Sequence, residues 1–536
     1  MAKTEGFNFK IRHCTLCLII ILGMTATSVN TARILGAFSM PALSHHLIFQ
    51  ALMRELAERG HEVVVISPFS LPEPKPSNYT EVFIPVSMGD IGDMMKVIIS
   101  PQRTPLNEHL WLWSKSAYVC ESQLSYPTLK EFIKPDIKGS NNTFDLVIVE
   151  GFFMDCMVGF AHAFNAPLAV VVTQYGIPWA DDMAGVPDAL AHVPHVFLPY
   201  SQNMNFLERL HNTLFTAFTK LYRRYVSLPQ QNEIAKKYFG PSMPPLWELE
   251  QNASLIFTNG HHILTPIRPT MPNYVEIGGL HINPNPPALS KDLQEYMDSR
   301  KKIILFSLGS LINSHNIPTD RLREIMEFFE KMKDYNFIWR WDGQQDRLPL
   351  SLPSNVFLSP WLPQQSILAH KHLVAFITHG GLLSMLEATY HAVPLVGFPF
   401  YGDQKLNMKH AEESGLAVKL DFFTFTKTEL ENAVRKVLND PSRLQRVKEI
   451  SRIFKDQKES PVDRAVFWTE YVIRHKGAMH LRASSTNLRW YEYHLLDVLL
   501  AVIISSLVAV FILYKLLYVV LKVLLPPKTF KSVKTD

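Results

Sequence analysis

The chain has 536 residues, 47% hydrophobic and 19% charged, a globular balance tilted towards apolar that excludes wholesale disorder. Its 53 Lys+Arg against 49 Asp+Glu leave a net charge of +4, too small a surplus for gripping nucleic acid or an acidic polymer. Four cysteines exclude a disulfide scaffold, and 36 prolines point to many loop junctions rather than a long coiled coil.

In chain order, the first feature is an apolar run from Cys14 to Met24, preceded by Lys3, Lys10 and Arg12 and followed by Thr25, Ala26, Thr27 and Ser28. This is the layout of a secretory signal peptide, so residues 1–29 are expected to be a leader cut near Ala26 to Asn30. Arg33–Ser39 then reads as a buried strand. Leu43, Leu47, Ile48, Leu52, Met53, Leu56 and Ala57 mark one face of a helix, which Gly60 ends at C′. His61–Ser67 completes a βαβ unit, and Asp145–Val149 and Leu168–Thr173 read as further strands. Trp111, Trp113, Tyr118, Phe152, Phe153, Tyr175 and Trp179 are candidates for lining an apolar pocket, with plain core packing as the competing reading. Phe206–Tyr225 has the spacing of an amphipathic helix, for which a bilayer contact, a lid and a packing helix all stay open.

Pro266–Pro287, rich in Pro, Asn and Gly, reads as a linker between domains expected at 30–275 and 276–475. In the second half, strands are expected at Lys302–Ser307, Phe337–Trp341, Val356–Leu358, Val374–Thr378, Leu395–Phe398 and Ala417–Leu420, mostly with helical patterns between them. The fold class is therefore α/β, two doubly wound halves with a cleft at the C-terminal ends of their strands. After a membrane-proximal segment 476–494, Val498–Tyr514 carries no charge; with its flanks, 495–518 is long enough to cross a hydrocarbon core of about 30 Å. Trp490, Tyr491 and Tyr493 form an aromatic belt before it, and Lys515, Lys522, Lys528, Lys531 and Lys534 follow. The positive-inside rule makes 519–536 a cytoplasmic tail and everything before the span luminal or extracellular. Sequons at Asn78, Asn141 and Asn252 agree with that side. Without the leader, Cys120 and Cys156 remain, and whether they pair cannot be read from sequence.

The chemistry concentrates between Trp361 and Gln404. Thr378 ends an apolar strand, and His379-Gly380-Gly381 opens a helix, where glycines admit a ligand close to backbone N–H groups and the helix N-terminus favours phosphate. His379 adds a donor that can become cationic near neutrality. Ser307-Leu-Gly309-Ser310 offers a second small-residue anion nest. Together they suit a nucleoside diphosphate.

These residues carry a resemblance. Trp361-Leu-Pro-Gln364, Phe376-Ile-Thr-His-Gly-Gly381, Glu387 and Tyr401-Gly-Asp-Gln404 are similar to the donor-binding signature of membrane-bound UDP-glycosyltransferases, nearest to the insect-type branch. Glu58-Arg-Gly-His-Glu-Val63, Ser307-Leu-Gly-Ser310, the leader and the C-terminal anchor extend it over nearly the whole chain. It implies a GT-B fold of two Rossmann-like domains. It also implies that Trp361 stacks on uracil beside Gln364, that Glu387 binds the ribose hydroxyls, that His379, Gly380 and Ser310 contact the diphosphate, and that Asp403 and Gln404 bind the sugar. Ser307, Gly309, Arg340, Gly381 and Ser384 complete the donor-binding candidates.

Sugar transfer to a hydroxyl needs a base, and histidine is the natural one. In the family the base follows a serine and precedes the Arg-Gly-His-Glu stretch, which selects His45 over His46. Its partner carboxylate is expected to be Glu150, standing where the family often has Asp, or else Asp155. Vertebrate relatives are thought to read a glucuronate carboxylate with a basic residue in a stretch similar to Ser254–Gly260. Thr258 stands at the aligned position, so UDP-glucose is expected over UDP-glucuronate. The expected activity is an inverting transfer of a hexose to a small lipophilic hydroxylated acceptor such as a steroid, phenolic or xenobiotic. The co-substrate is a UDP-sugar, and no cofactor or metal is expected. A glucuronosyltransferase of the same fold and a catalytically inactive membrane-anchored binding homologue are the alternatives, and homo- or hetero-oligomers are compatible with either. The resemblance also places the enzyme in the endoplasmic reticulum membrane, although the tail's dilysine signal is incomplete around Lys534.

Overall fold

The computed structural model describes residues 31–85, 103–133, 143–312 and 316–525; the expected leader, Asn141 and the tail lysines from Lys528 onward lie outside them. Two parallel sheets organise the chain up to Arg482. The first has seven strands in the order β3-β2-β1-β4-β5-β6-β7: Arg33–Ala37, Glu62–Ser67, Tyr79–Phe83, Leu146–Glu150, Leu168–Val172, Ala253–Thr258 and Tyr274–Glu276 in chain order. Runs such as Leu146-Val-Ile-Val-Glu150 and Leu168-Ala-Val-Val-Val172 are buried throughout, as expected of strands covered on both faces.

Three of these strands go beyond the sequence expectation. β3 is a half-buried edge, β6 is fully buried, and β7 lies inside the segment read as a linker. Tyr274–Glu276 is no free linker because its backbone pairs with Ile256–Thr258 and closes the edge of the first sheet.

Helix α1 (Leu43–Glu58) follows β1 and buries Ile48, Leu52, Met53, Leu56 and Ala57 of the predicted face, while Leu43 is half-buried and Leu47 exposed, both in the cavity wall described below; Gly60 beyond it has φ +97°, the left-handed C′ conformation that glycine adopts without strain. Helix α2 (Pro105–Leu124) starts with Thr104, whose hydroxyl accepts the Asn107 N–H, and has Pro105 in its first turn. A disulfide between Cys120 of α2 and Cys156, just beyond β4, answers the pairing question left by the sequence. Helix α3 (Phe206–Tyr222) is amphipathic as expected, capped by Asn205 and Glu208, with Phe206, Leu207, Leu210, Leu214, Phe218 and Leu221 exposed along one stripe.

The second sheet has six strands in the order β10-β9-β8-β11-β12-β13: Ile303–Ser307, Asn336–Arg340, Val356–Ser359, Leu373–Thr378, Leu395–Gly397 and Ala417–Lys419 are β8 to β13 in chain order. All six coincide with the expected strands to within one residue at each end, because each is a short apolar run. Helix α4 (Leu382–Tyr390) follows β11, and helix α5 (Gln404–Glu413) follows β12.

Helix α6 (Pro461–Arg474) departs from the expected domain boundary at residue 475. Its Ala465, Val466 and Val472 join Ile34, Phe49, Leu52, Val63 and Ile148 in one core, so it covers the first sheet beside α1. Arg464 secures it by donating to the Glu276 carbonyl of β7. Its apolar face fits the first half because α1 alone leaves part of that sheet uncovered.

From Ala483 the chain forms a separate unit. Helix α7 (Leu496–Leu524) has 29 residues, an 18-residue stretch with a mean hydropathy of 2.8 and no buried residue; it is long and apolar enough to cross a membrane. It runs past the expected end at 518 because the apolar pattern continues through Val519, Val520 and Leu521.

Two sequons can be placed. Asn252 is exposed after a short helix. Asn78 instead turns its amide nitrogen inward to the carbonyls of Ala57 and His61, at 2.8 and 2.5 Å, which opposes glycan attachment there.

Candidate active site

In each sheet the strand order reverses once, between β1 and β4 and between β8 and β11. Loops leaving neighbouring strands at such a point diverge to opposite faces and leave a crevice at their C-terminal ends. Both crevices open into one cavity of about 430 Å³, lined from both halves of the chain.

On the first side, β1 delivers the start of α1 and the adjacent β4 ends at Glu150. His45 Nδ1 lies 2.5 Å from Glu150 Oε1 and 3.2 Å from the Thr173 hydroxyl at the end of β5. A carboxylate at Nδ1 selects the tautomer with the proton there, which leaves the Nε2 lone pair as the base. The Phe152 ring packs edge-on to the imidazole at 5.2 Å. His46 has no such freedom: buried, it bonds the Met40 carbonyl and the Ser67 hydroxyl, and burial pulls its pKa down to about 4.

Asp155, the alternative partner, sits elsewhere. Its carboxylate takes Arg223 at 2.7 Å and Gln231 at 3.2 Å in a buried cluster with Glu250. The turn after β4 carries Asp155 away from the cavity, whereas Glu150 is still on the strand that pairs with β1.

On the second side, Gly309 and Gly381 approach the two switch-point loops to each other around His379. A Cβ at Gly309 would lie 2.6 Å from His379 Cε1, and one at Gly381 2.6 Å from Nε2, so both positions require glycine. Gly309 and Gly380 both have φ +80°. Enclosure and the nearby Arg340 pull the His379 pKa down to about 4. The imidazole is thus neutral near neutrality, because burial costs the charged form its hydration. Arg340 donates to the Gly309 carbonyl and to Asp342, shaping the loop from behind. The Gly381 N-cap makes no side-chain cap bond, and the first turn of α4 lines the cavity, leaving its N–H groups available to an anion. Ser307, Gly309 and Ser310 line the same wall; Gly380 lies behind it, with its carbonyl bound to Asn407.

Trp361 is 59% exposed at the rim, a face open to stacking. Glu387 is buried, and its two oxygens accept from Gln364 at 2.6 Å and Gln365 at 3.2 Å, with His281 at 3.3 Å. Gln364 also bonds Ser384 at 2.9 Å. Asp403 accepts from Asn407 at 2.9 Å; burial raises its pKa against the pull of that amide and of His45. Gln404 ties its own turn by accepting the Phe400 and Tyr401 N–H groups.

Of the aromatic candidates, Trp111 and Phe152 line the cavity, Trp113, Phe153, Tyr175 and Trp179 are core, and Tyr118 is exposed. Thr258 is wholly buried at the end of β6, outside the cavity wall. The sequence reading missed Arg103, Glu108, Thr173, Gln365 and His281. Gln365 directly follows the Trp361-Leu-Pro-Gln364 motif; the others stand in no motif, and each gains its place by a contact with a distant part of the chain.

The comparisons agree with this arrangement. Residues 37–529 match the family model described as "UDP-glucoronosyl and UDP-glucosyl transferase". The chain is 33% identical to UDP-glucosyltransferase 2 of Dactylopius coccus, over 91% of this chain and 93% of the relative. It is 29% identical to the human UDP-glucuronosyltransferase 2B7, over 94% and 96%. Among solved structures it resembles the calicheamicin glycosyltransferase CalG4, with TM-score 0.55 and 19% identity over 83% of this chain and 99% of the other. A UDP-glucosyltransferase from Polygonum tinctorium gives TM-score 0.56 at 14% identity, over 83% and 100%. The two parallel sheets are those of a GT-B glycosyltransferase, and the chain belongs to the UDP-glycosyltransferase family of glucosyl- and glucuronosyltransferases.

Proposed function

We propose that the enzyme transfers glucose, with inversion, from UDP-glucose to a hydroxyl of a small lipophilic acceptor. The observation that carries this reading is the His45–Glu150 pair facing the Gly309–His379–Gly381 cradle across one cavity. His45 Nε2 takes the acceptor proton as its oxygen attacks the anomeric carbon, and the bond from that carbon to the diphosphate oxygen breaks. Glu150 stabilises the imidazolium that forms. Charge on the departing UDP falls on the N–H groups at the start of α4 and in the Ser307–Ser310 loop, with the neutral His379 as a further donor. This stabilisation needs no metal.

In this reading Trp361 stacks on uracil and Glu387 binds the ribose, held ready by Gln364, Gln365 and His281. Asp403 and Gln404 take the hexose hydroxyls. Met40, Leu47, Trp111, Leu112, Phe152 and Phe197 give the acceptor side its apolar wall, which suits a phenolic, steroid or xenobiotic. The higher identity to an insect glucosyltransferase than to the human glucuronosyltransferase supports glucose. The disulfide fits an oxidising lumen, and with α7 it supports a single-span protein of the endoplasmic reticulum membrane with a cytoplasmic tail. Exposed Asn252 is the better placed of the two described sequons.

The test is an acceptor panel run with UDP-glucose, UDP-glucuronate and UDP-galactose, comparing wild type with His45→Ala. UDP-glucose is expected to be fastest, and His45→Ala to lose about 10²–10⁴-fold in turnover. Binding of a UDP-sugar without transfer to any hydroxylated acceptor would instead indicate the inactive binding homologue.

A further inference from the structure

A hexose transferred here must lie between the base and the leaving group, hence between His45 and the His379 cradle. One wall of that space is built jointly by the two halves. The second half supplies the turn Tyr401-Gly402-Asp403 between β12 and α5, and the first half supplies Arg103 and the first turn of α2. Glu108 of α2 reaches across: its Oε1 accepts the Gly402 N–H at 2.5 Å and pairs with Arg103 Nη2 at 2.5 Å. The Arg103 guanidinium lies over the Tyr401 ring, 5.3 Å from its centre. Asp403, the next residue of the same turn, is close enough to His45 for their charges to interact.

Glu108 is only 5% exposed, and a buried carboxylate costs free energy unless it is paired. Neither sheet needs it there. A structural latch between the halves would explain the Gly402 bond, but a neutral side chain could make that bond equally well. Retaining a carboxylate matters for what enters the cavity. Around the hexose position Glu108 holds the Arg103 guanidinium, Glu150 is engaged by His45, Arg340 is turned to the Gly309 carbonyl and Asp342, and Asp403 adds a further carboxylate. A neutral hexose brings only hydroxyls to this wall, whereas a hexuronate brings another carboxylate.

We propose that Glu108 is a donor-selecting residue: it positions the Gly402 turn beside the sugar and keeps the Arg103 guanidinium engaged, withholding that cation from a hexuronate carboxylate. This rests on the reading above, in which His45 and the cradle bracket the hexose. Discrimination of this kind works by denying the wrong ligand a partner as much as by binding the right one.

The experiment measures kcat/KM for UDP-glucose and UDP-glucuronate with 4-nitrophenol as acceptor, at pH 8, on the full chain in detergent. Glu108→Gln keeps the shape and an oxygen for the Gly402 N–H but removes the carboxylate charge that engages Arg103. It is expected to lower the glucose-over-glucuronate ratio at least tenfold while UDP alone still binds. An unchanged ratio, or an equal fall for both donors, overturns the proposal and leaves Glu108 a structural latch.

If Glu108→Gln no longer binds UDP, the wild type carries the test. Burial pushes the Glu108 carboxyl up to about 7; Arg103, the Gly402 amide and Lys405 pull against it, and Asp403 adds to it. Competitive inhibition by UDP-glucuronate should therefore weaken relative to UDP-glucose at least threefold from pH 6 to pH 8. A flat ratio of the two inhibition constants overturns the proposal. A wild type that prefers UDP-glucuronate overturns the glucose reading above, and the Glu108→Gln ratio then still decides the role of Glu108.

Discussion

His45 is poised as a base by where its other nitrogen is tied. With Glu150 at Nδ1 and Thr173 beside it, the imidazole cannot turn, and Nε2 is the only ring nitrogen left for the cavity. Glu150→Gln removes the charge that stabilises the imidazolium. It should lower kcat about 10²-fold or more while UDP binding, read by titration calorimetry, stays unchanged. Asp155→Ala should do the reverse. It strips one partner from the buried Arg223, which keeps Glu250, so stability should fall by about 1–3 kcal/mol in denaturant melts. The fraction of enzyme that stays folded should keep its kcat. Sequence proximity alone left these two carboxylates as rivals; the direction of the turn after β4 separates them.

At the scale of elements, the donor cradle exists because two strand-to-helix connections meet at a reversal of strand order. Glycine there does two jobs: Gly309 holds φ +80°, and it leaves room for the His379 ring. Gly309→Ala forces a left-handed alanine, a strain of about 1–2 kcal/mol, and pushes the imidazole away. UDP affinity should weaken about tenfold, measured with UDP alone, while helix content by circular dichroism stays that of the wild type. The glycines were legible in the sequence as a phosphate-binding pattern. The neutrality of His379 was not, because a pKa depends on how completely the neighbours exclude water.

For the whole molecule, the return of α6 to the first sheet makes the domain division discontinuous in sequence. A chain ending after Arg482 keeps α6 and should fold, elute as a discrete species without detergent and bind UDP. A chain ending before Pro461 uncovers Ile34, Phe49, Val63 and Ile148 and should aggregate, although it retains every residue proposed to bind the donor. Equal solubility of the two truncated chains would show that α6 is dispensable to the first core.

Local pattern was sufficient for a great deal: every strand of the second sheet, the membrane-length helix, the glycines that close on His379, and His45 rather than His46 at the cavity. All of these are encoded within a few residues, as apolar periodicity, as glycine where the backbone must turn, or as a motif read in one stretch. Only the tertiary structure decided which carboxylate serves His45, that Cys120 and Cys156 join, that Tyr274–Glu276 is a strand, and that α6 crosses back. It alone shows Glu108 meeting Gly402, two residues 294 positions apart. These are pairings between distant segments, and no local periodicity records which of many buried partners the fold brings within hydrogen-bonding distance.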